Sequence, residues 1–149
     1  MYSYEINDKT MAIIPSSNKK SYVIEEQREF YVDMEPIEII GHSCEYYGST
    51  LNGRNIGTTN LIGFTYKRPI IIEETNNIIF FPTESIRNQK CCWLALDKIE
   101  SYNKINKDSL IKFKTGYELI INISCNSLEN QVLRSALLDS IMRKRRKIS

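Results

Sequence analysis

Short apolar runs separated by polar turns dominate the pattern along this chain, and they predict mostly strands. Pairs of β-branched and aromatic runs around a turn predict hairpins. The predicted pairs are 2–6 with 10–14, 22–24 with 30–32, 70–72 with 78–81, and 110–114 with 117–121. Single strands are predicted at 61–66 and 89–96. Because 70–72 and 78–81 are continuously apolar, we expect them to be buried on both faces and to form the centre of the core.

Two segments have helical periodicity instead. Ile37, Ile40, Cys44 and Tyr47 recur at steps of three and four residues, which predicts a helix near 36–47 that begins at Pro36 and ends at Gly48. A second helix is predicted near 127–146, because Asn126 and Glu129 have the spacing of a capping box. It carries a broad apolar stripe, formed by Leu128, Val132, Leu133, Ala136, Leu137, Leu138 and Ile141.

These elements predict one α+β domain over residues 1–149. Antiparallel hairpins would form a compact sheet or a partly open barrel, with the two helices packed against it. A chain of 149 residues buries enough surface for a core without disulfide staples. Trp93 lies inside an apolar run, so we interpret it as a core or interface anchor rather than a base-stacking platform.

The stretch 43–58 is unusual because it combines three glycines with short polar side chains and a single arginine, Arg54. Asn52-Gly53 is a strong turn signal, which predicts Arg54 at or just past a tight hairpin tip. Such an arginine could enter a narrow, electronegative slot such as an A·T-rich minor groove. The alternative is a surface loop whose glycines only satisfy turn geometry.

Charge is distributed unevenly along the chain. Residues 1–46 contain 4 Lys and Arg against 9 Asp and Glu, and residues 47–149 contain 16 against 9. The basic excess includes Lys67-Arg68 and a terminal run, Arg143-Lys144-Arg145-Arg146-Lys147. Basic residues of this kind bind phosphates through counterion release, or they form a solvated surface.

Ordered landmarks along nearly the whole chain resemble the ComK family, the competence transcription factors of low-GC Gram-positive bacteria. The matching residues are Ser43-Cys44, Gly48-Ser49, Gly53-Arg54, Gly57-Thr58, Phe81-Pro82-Thr83, and 126–132 with Arg134.

The resemblance implies a cytoplasmic transcriptional activator of DNA-uptake genes that binds A·T-rich promoter boxes through the minor groove. Its partners would be double-stranded DNA, further copies of itself and RNA polymerase. The DNA-binding residues we expect are Asn52, Arg54, Lys67, Arg68, Arg143, Lys144, Arg145, Arg146 and Lys147. The residues we expect to mediate oligomerisation are Leu128, Val132, Leu133, Leu137 and Ile141.

One departure from the family keeps a second hypothesis open. ComK proteins typically continue past the matching helix into a segment associated with capture by an adaptor and protease, whereas this sequence ends at Ser149. We therefore do not expect that control here. The alternative function is a non-activating, truncated paralogue that acts as a protein-interaction or titrating module.

Other classes have little support in the sequence. The lone His42 has no identifiable triad partners, and there is no phosphate-binding or dinucleotide fingerprint, so we expect neither an enzyme nor a cofactor. The cysteines at 44, 91, 92 and 125 lack the spacing of a metal site, and we expect them to be small buried hydrophobes. No segment has the apolar length of a membrane span or the pattern of a signal peptide.

Overall fold

The computed structural model of this protein describes residues 1–148, which form nine strands and three α-helices. The strands are β1 Thr10–Ser16, β2 Lys20–Glu25, β3 Glu29–Val32, β4 Ile70–Glu73, β5 Ile78–Pro82, β6 Trp93–Ala95, β7 Ile99–Ile105, β8 Asp108–Phe113 and β9 Glu118–Ile121. The helices are α1 Pro36–Tyr46, α2 Leu51–Ile62 and α3 Cys125–Ile148. Among these described residues, no helix is both long enough and apolar enough to cross a membrane.

The strands form two antiparallel sheets, and neither closes into a barrel. The larger sheet has six strands in the order β3-β2-β1-β6-β5-β4, and the smaller has the order β7-β8-β9. The predicted α+β class is therefore confirmed. The hairpins at 22–32, 70–81 and 110–121 are also confirmed as β2–β3, β4–β5 and β8–β9.

The apolar residues of the six-stranded sheet alternate between two faces, and each face is covered. One face packs Ile13, Phe80 and Trp93 against Ile40 and Cys44 of α1. The other face packs residues such as Phe81 and Leu94 against the small sheet and α3, and all of the following are buried there: Ile111, Phe113, Ile121 and Leu128. Both β4 and β5 are buried almost throughout, as their continuous apolar runs predict.

The antiparallel strands give the large sheet two ends with different turns. The 74–77 end contains the β4–β5 turn, the β2–β3 turn at 26–28 and the start of β1. The 83–92 end contains the connection from β5 to β6 and the β1–β2 turn at 17–19. Helix α3 packs along β4 and β5, so it reaches both ends: Gln131 contacts Pro82, and Arg146 contacts the 74–77 turn.

The middle of the large sheet contains a weak seam. Strands β1 and β6 share only two residue pairs, Ala12 with Leu94 and Ile13 with Trp93. The ladder stops before Pro15, which has no backbone N–H to donate. Beyond the Ile13–Trp93 pair, the end of β1 and the residues that precede β6 line a groove at the 83–92 end.

The helix predicted near 36–47 is confirmed as α1. The hairpin predicted at Asn52-Gly53 is wrong, because these residues lie in the first turn of α2. Thr50 caps α2 by accepting a hydrogen bond at 3.0 Å from the N–H of Gly53, and Gly63 ends the helix at φ 80°. The two helices are joined by a short turn in which Gly48 has φ 88°. The buried Thr58 donates a hydrogen bond at 2.8 Å to the Pro69 carbonyl. This cap and this contact offset the low helix propensity of two internal glycines, which is about 1 kcal/mol each relative to alanine.

Two predicted strands are wrong because a helix takes their place or binds their backbone. Residues 61–66 are not a strand, because α2 continues to Ile62 and a loop follows. Residues 2–6 do not pair with 10–14, because the backbone of Ile6 is bound by α1 instead. Its N–H donates to Ser43 Oγ at 2.9 Å, and its carbonyl accepts from the Tyr47 hydroxyl at 2.7 Å.

The start of α3 also differs from the prediction. Ser124, rather than Asn126, receives the capping hydrogen bond, which comes from the Ser127 N–H at 3.1 Å. The helix therefore begins at Cys125, two residues before the predicted start, and it continues to Ile148.

Candidate nucleic-acid interface

Arg54 lies in the first turn of α2, facing the 74–77 turn. Its Nη1 donates to Glu74 Oε1 at 2.8 Å, and its side chain is 17% exposed. The Nε atom of Arg54 is buried and has no hydrogen-bond partner among the described residues. Arg54 is therefore not at a projecting hairpin tip. It is held by one ion pair, and the Nε of its guanidinium lacks a hydrogen-bond acceptor among the described residues.

The end of α3 meets the same turn from the other side. Arg146 donates hydrogen bonds to the Glu74 carbonyl and to Asn77 Oδ1. The structure therefore brings together Arg54 and Arg146, which the sequence placed in two separate basic elements. The sequence predicts the hairpin that contains this turn, but it does not identify Glu74 or Asn77 as contacts of the two arginines. The reason is that polar turn residues have no pattern that reveals a distant partner.

The rest of the terminal run is divided between a bound arginine and exposed cations. Arg143 Nε donates to Asp139 Oδ1 at 3.0 Å, one helical turn earlier. Lys144, Arg145 and Lys147 are exposed, and within residues 1–148 no carboxylate pairs with them.

Lys67 and Arg68 lie apart from that cluster, in the loop between α2 and β4. Arg68 donates to Thr59 Oγ1 at 3.0 Å. The Lys67 carbonyl accepts a hydrogen bond at 2.9 Å from Gln131 of α3, which also binds the Pro82 carbonyl at 2.7 Å. Because the Gln131 side chain joins the Lys67 and Pro82 carbonyls, Lys67 lies close to the 83–92 end of the sheet.

The exposed surface of α2 is nearly uncharged and combines polar residues with one isoleucine. Asn52, Ile56 and Asn60 are all exposed on it. The adjacent loop is held by Arg134 of α3, whose guanidinium lies 4.0 Å from the ring centroid of Phe64 and 5.2 Å from that of Tyr66. These contacts fix α2 and its loop against α3.

The residues predicted for oligomerisation do not share one environment. Leu128 is fully buried in the core, and Val132 and Ile141 are half-buried. Leu133 is 59% exposed and Leu137 is 46% exposed, beside Phe64 at a shallow depression. The stripe is divided because one side of α3 faces the sheets, and Leu133 and Leu137 lie outside that side. The buried residues on the side facing the sheets are Leu128, Gln131, Ser135 and Leu138.

A second polar network occupies the 74–77 end of the large sheet. The carboxylate of Glu25, only 6% exposed, accepts hydrogen bonds from Tyr4, Asn7 and Arg28. Burial by itself raises the pKa of Glu25, but these three donors outweigh burial and leave the pKa below its usual value. Nearby, Lys98 Nζ lies 3.3 Å from Glu26 Oε2. Arg28, Arg54 and Lys98 at this end are thus each paired with a carboxylate.

Comparison with known proteins gives the class to which this fold belongs. A family model described as ComK protein matches residues 1–147, and the chain belongs to that family. A competence transcription factor of Bacillus subtilis (strain 168) is 35% identical over 140 residues, which span 91% of this chain and 73% of that relative. No solved structure matches the chain.

Proposed function

We propose that this protein is a DNA-binding transcription factor that activates competence genes from A·T-rich promoter sites. The observation that carries the proposal is the family match over residues 1–147, together with the relative described as a competence transcription factor. That description is not an enzyme class. The exposed cations of the chain supply the phosphate-binding groups that such a function needs.

In this proposal, phosphate contacts come from the cations that the fold leaves exposed or half-buried at its surface: Lys67, Lys144, Arg145 and Lys147. Arg143 and Arg146 fasten the end of α3 to Asp139 and to the 74–77 turn, and Arg68 braces the loop through Thr59. Those three arginines position the exposed cations. Asn52, exposed near the start of α2, is available to bond a sugar or phosphate oxygen.

Arg54 reads the minor groove in this proposal by exchanging Glu74 for acceptors on the DNA. Glu74 is 48% exposed on its side chain, so solvent screens the ion pair from that side. The unsatisfied Nε of Arg54 gains an acceptor in the exchange, which offsets part of the cost of releasing Arg54 from Glu74.

The experiment is fluorescence anisotropy with an A·T-rich duplex and a G·C-rich duplex of equal length, each at two salt concentrations. We expect binding that weakens steeply with salt and favours the A·T-rich duplex. Folded protein with no salt-sensitive binding to either duplex would overturn the proposal and leave the protein-interaction module as the function to test.

We further propose that the protein binds DNA as a homo-oligomer, through Leu133 and Leu137. Two exposed leucines on one helix face, next to a ring from the 63–69 loop, suit a self-complementary contact. Light scattering should give a mass above 17.4 kDa for the wild type, and Leu133→Asp with Leu137→Asp should return the monomer mass. A wild type that stays monomeric at tens of micromolar, with and without DNA, would contradict this part.

Contact with RNA polymerase follows from an activating role and is tested by transcription in vitro.

A further inference from the structure

A surface groove lies at the 83–92 end of the large sheet, beyond the last residue pair of β1 and β6. Its volume is about 630 Å³, and it is bounded by the β1–β2 turn, the 84–91 connection and the start of α1. Its polar lining residues are mostly cations and carboxamides: Asn18, Lys19, Lys20, Arg87, Asn88, Gln89 and Lys90. Glu35 is the carboxylate among the described lining residues.

The cations of this groove are available to a ligand. Lys20 lies 3.4 Å from Asp33, an exposed pair. Lys19, Arg87 and Lys90 are exposed, and no carboxylate of residues 1–148 lies within ion-pair distance of them. Their positions are set by turn geometry. Asn18 and Lys19 both have φ 58°, and the Lys90 N–H donates to Asn88 Oδ1 at 2.8 Å.

Two smaller depressions adjoin the groove at Lys90, and each also contains a carboxylate, Glu84 in the first and Asp108 in the second. The second depression also includes Lys107 at the β7–β8 turn. On the other side, the groove includes Cys91, and the Lys67 loop is held near the same end of the sheet by Gln131, which binds the Lys67 and Pro82 carbonyls. Within the groove, cations outnumber carboxylates, which favours a ligand with several negative charges.

The apolar residues that line the groove are buried or half-buried, apart from Ile86: they are Pro15, Pro36, Ile37, Cys91 and Trp93. Trp93 and Cys91, which lie at its base, are 2% and 5% exposed because they belong to the core. Ile86, at the rim, is 47% exposed. A peptide ligand would need a deeper apolar pocket to gain affinity from its side chains, whereas a phosphate backbone needs mainly cations and N–H donors.

We infer that this groove, with Lys19, Arg87 and Lys90, is a second phosphate-binding surface for duplex DNA. The inference rests on the proposed function and extends the contact from Lys67 into the groove. Its role is sequence-independent, because cations that contact phosphates carry affinity without reading bases.

The test compares two triple variants with the same loss of charge. The groove variant is Lys19→Gln, Arg87→Gln and Lys90→Gln. The control is Lys9→Gln, Lys104→Gln and Lys114→Gln, three exposed lysines outside the groove. Thermal unfolding verifies that both fold like the wild type, and anisotropy is measured on both duplexes across a range of salt concentrations.

We expect the groove variant to lose affinity for the A·T-rich and G·C-rich duplexes by the same factor. At about 0.9 per phosphate contact, the slope of log K against log salt should become less steep by roughly 3. At low salt the loss should be at least about tenfold larger than that of the control. Equal losses in the two variants would overturn the inference while the wild-type binding still supported the proposed function. If the wild type binds neither duplex, it is the proposed function that fails.

A second measurement needs no variant. Acylation of lysines by an N-hydroxysuccinimide ester, read by mass spectrometry, should be suppressed by the A·T-rich duplex at Lys19 and Lys90 but not at Lys104 and Lys114. If DNA leaves Lys19 and Lys90 fully reactive, the inference is wrong. If the groove variant instead keeps its DNA affinity and loses binding to labelled poly-L-glutamate, the groove is an acidic-peptide site and the inference is likewise overturned.

Discussion

Four basic side chains packed at the 74–77 end of the six-stranded sheet are bound within the protein, whereas three cations of the groove at the 83–92 end are not. At the 74–77 end, Arg28, Arg54, Lys98 and Arg146 each bind an acceptor supplied by this chain. At the 83–92 end, Lys19, Arg87 and Lys90 have no carboxylate partner among the described residues. Net charge does not distinguish these states. A cation already paired stabilises the fold, and an unpaired one remains available to a polyanion.

This difference predicts that substitutions at the two ends separate stability from DNA affinity. The largest effect should come from Glu25→Gln, which removes a buried carboxylate that accepts from Tyr4, Asn7 and Arg28. We expect a loss of roughly 1.5–3 kcal/mol in the free energy of unfolding, the range for hydrogen bonds to a charged group. Urea denaturation at pH 7 measures it.

The matched control is Asp33→Asn, which breaks the exposed pair with Lys20 near the other end of the sheet. It should change the free energy of unfolding by no more than about 0.5 kcal/mol. Equal losses in the two variants would remove the contrast between the ends.

The pH dependence of stability gives a second test of Glu25. Its folded pKa lies below its unfolded pKa of about 4.3, so its contribution is fully present above that value and is lost as the pH falls through the folded pKa. The stability gap between the wild type and Glu25→Gln should therefore narrow below about pH 4. Urea midpoints between pH 3 and pH 7 measure the gap, and one that stays constant over this range would show that Glu25 acts by packing alone.

The effect of Arg54→Ala on DNA binding distinguishes a role in the minor groove from a purely structural role. If Arg54 enters the minor groove, Arg54→Ala should lower the preference for A·T-rich over G·C-rich duplex by roughly 1–3 kcal/mol, measured by anisotropy. Glu74→Gln is the matched variant, since it frees Arg54 and should raise the affinity slightly. If folded Arg54→Ala keeps the A·T preference of the wild type, Arg54 contributes to the fold and not to DNA recognition. DNA contacts would then have to be sought outside the 74–77 turn.

The sequence predicts the strands best where apolar runs are continuous and turns are short. The β4–β5 pair is such a case, because Ile70 to Ile72 and Ile78 to Phe81 are buried almost throughout. Strand β7 was not predicted, because most of its residues are exposed or half-buried and give no clear alternation. Local pattern identifies an element only when burial imposes a pattern on it.

Helix α2 shows how tertiary contacts override a local signal. Asn52-Gly53 is a turn sequence in isolation, but Thr50 caps a helix there and Thr58 binds Pro69, a residue beyond the end of α2. The groove at the 83–92 end has a different cause. Its cations come from 19–20 and 87–90, which become neighbours only through the order of strands in the sheet. Sequence spacing contains no information about that proximity.

The seam between β1 and β6 also sets the chain-entropy cost of completing the large sheet. Its two residue pairs join positions about 80 residues apart, whereas the β4–β5 hairpin closes between Glu73 and Ile78. Sixteenfold greater separation is four doublings, and each adds about 0.6 kcal/mol of loop-closure entropy, or about 2.4 kcal/mol in all. Two ladder pairs, with hydrogen bonds of about 0.5–1.5 kcal/mol each, offset roughly that cost and leave little surplus. The side chains packed across the seam, such as Ile13, Val23, Phe80 and Trp93, therefore hold the two halves of the sheet together.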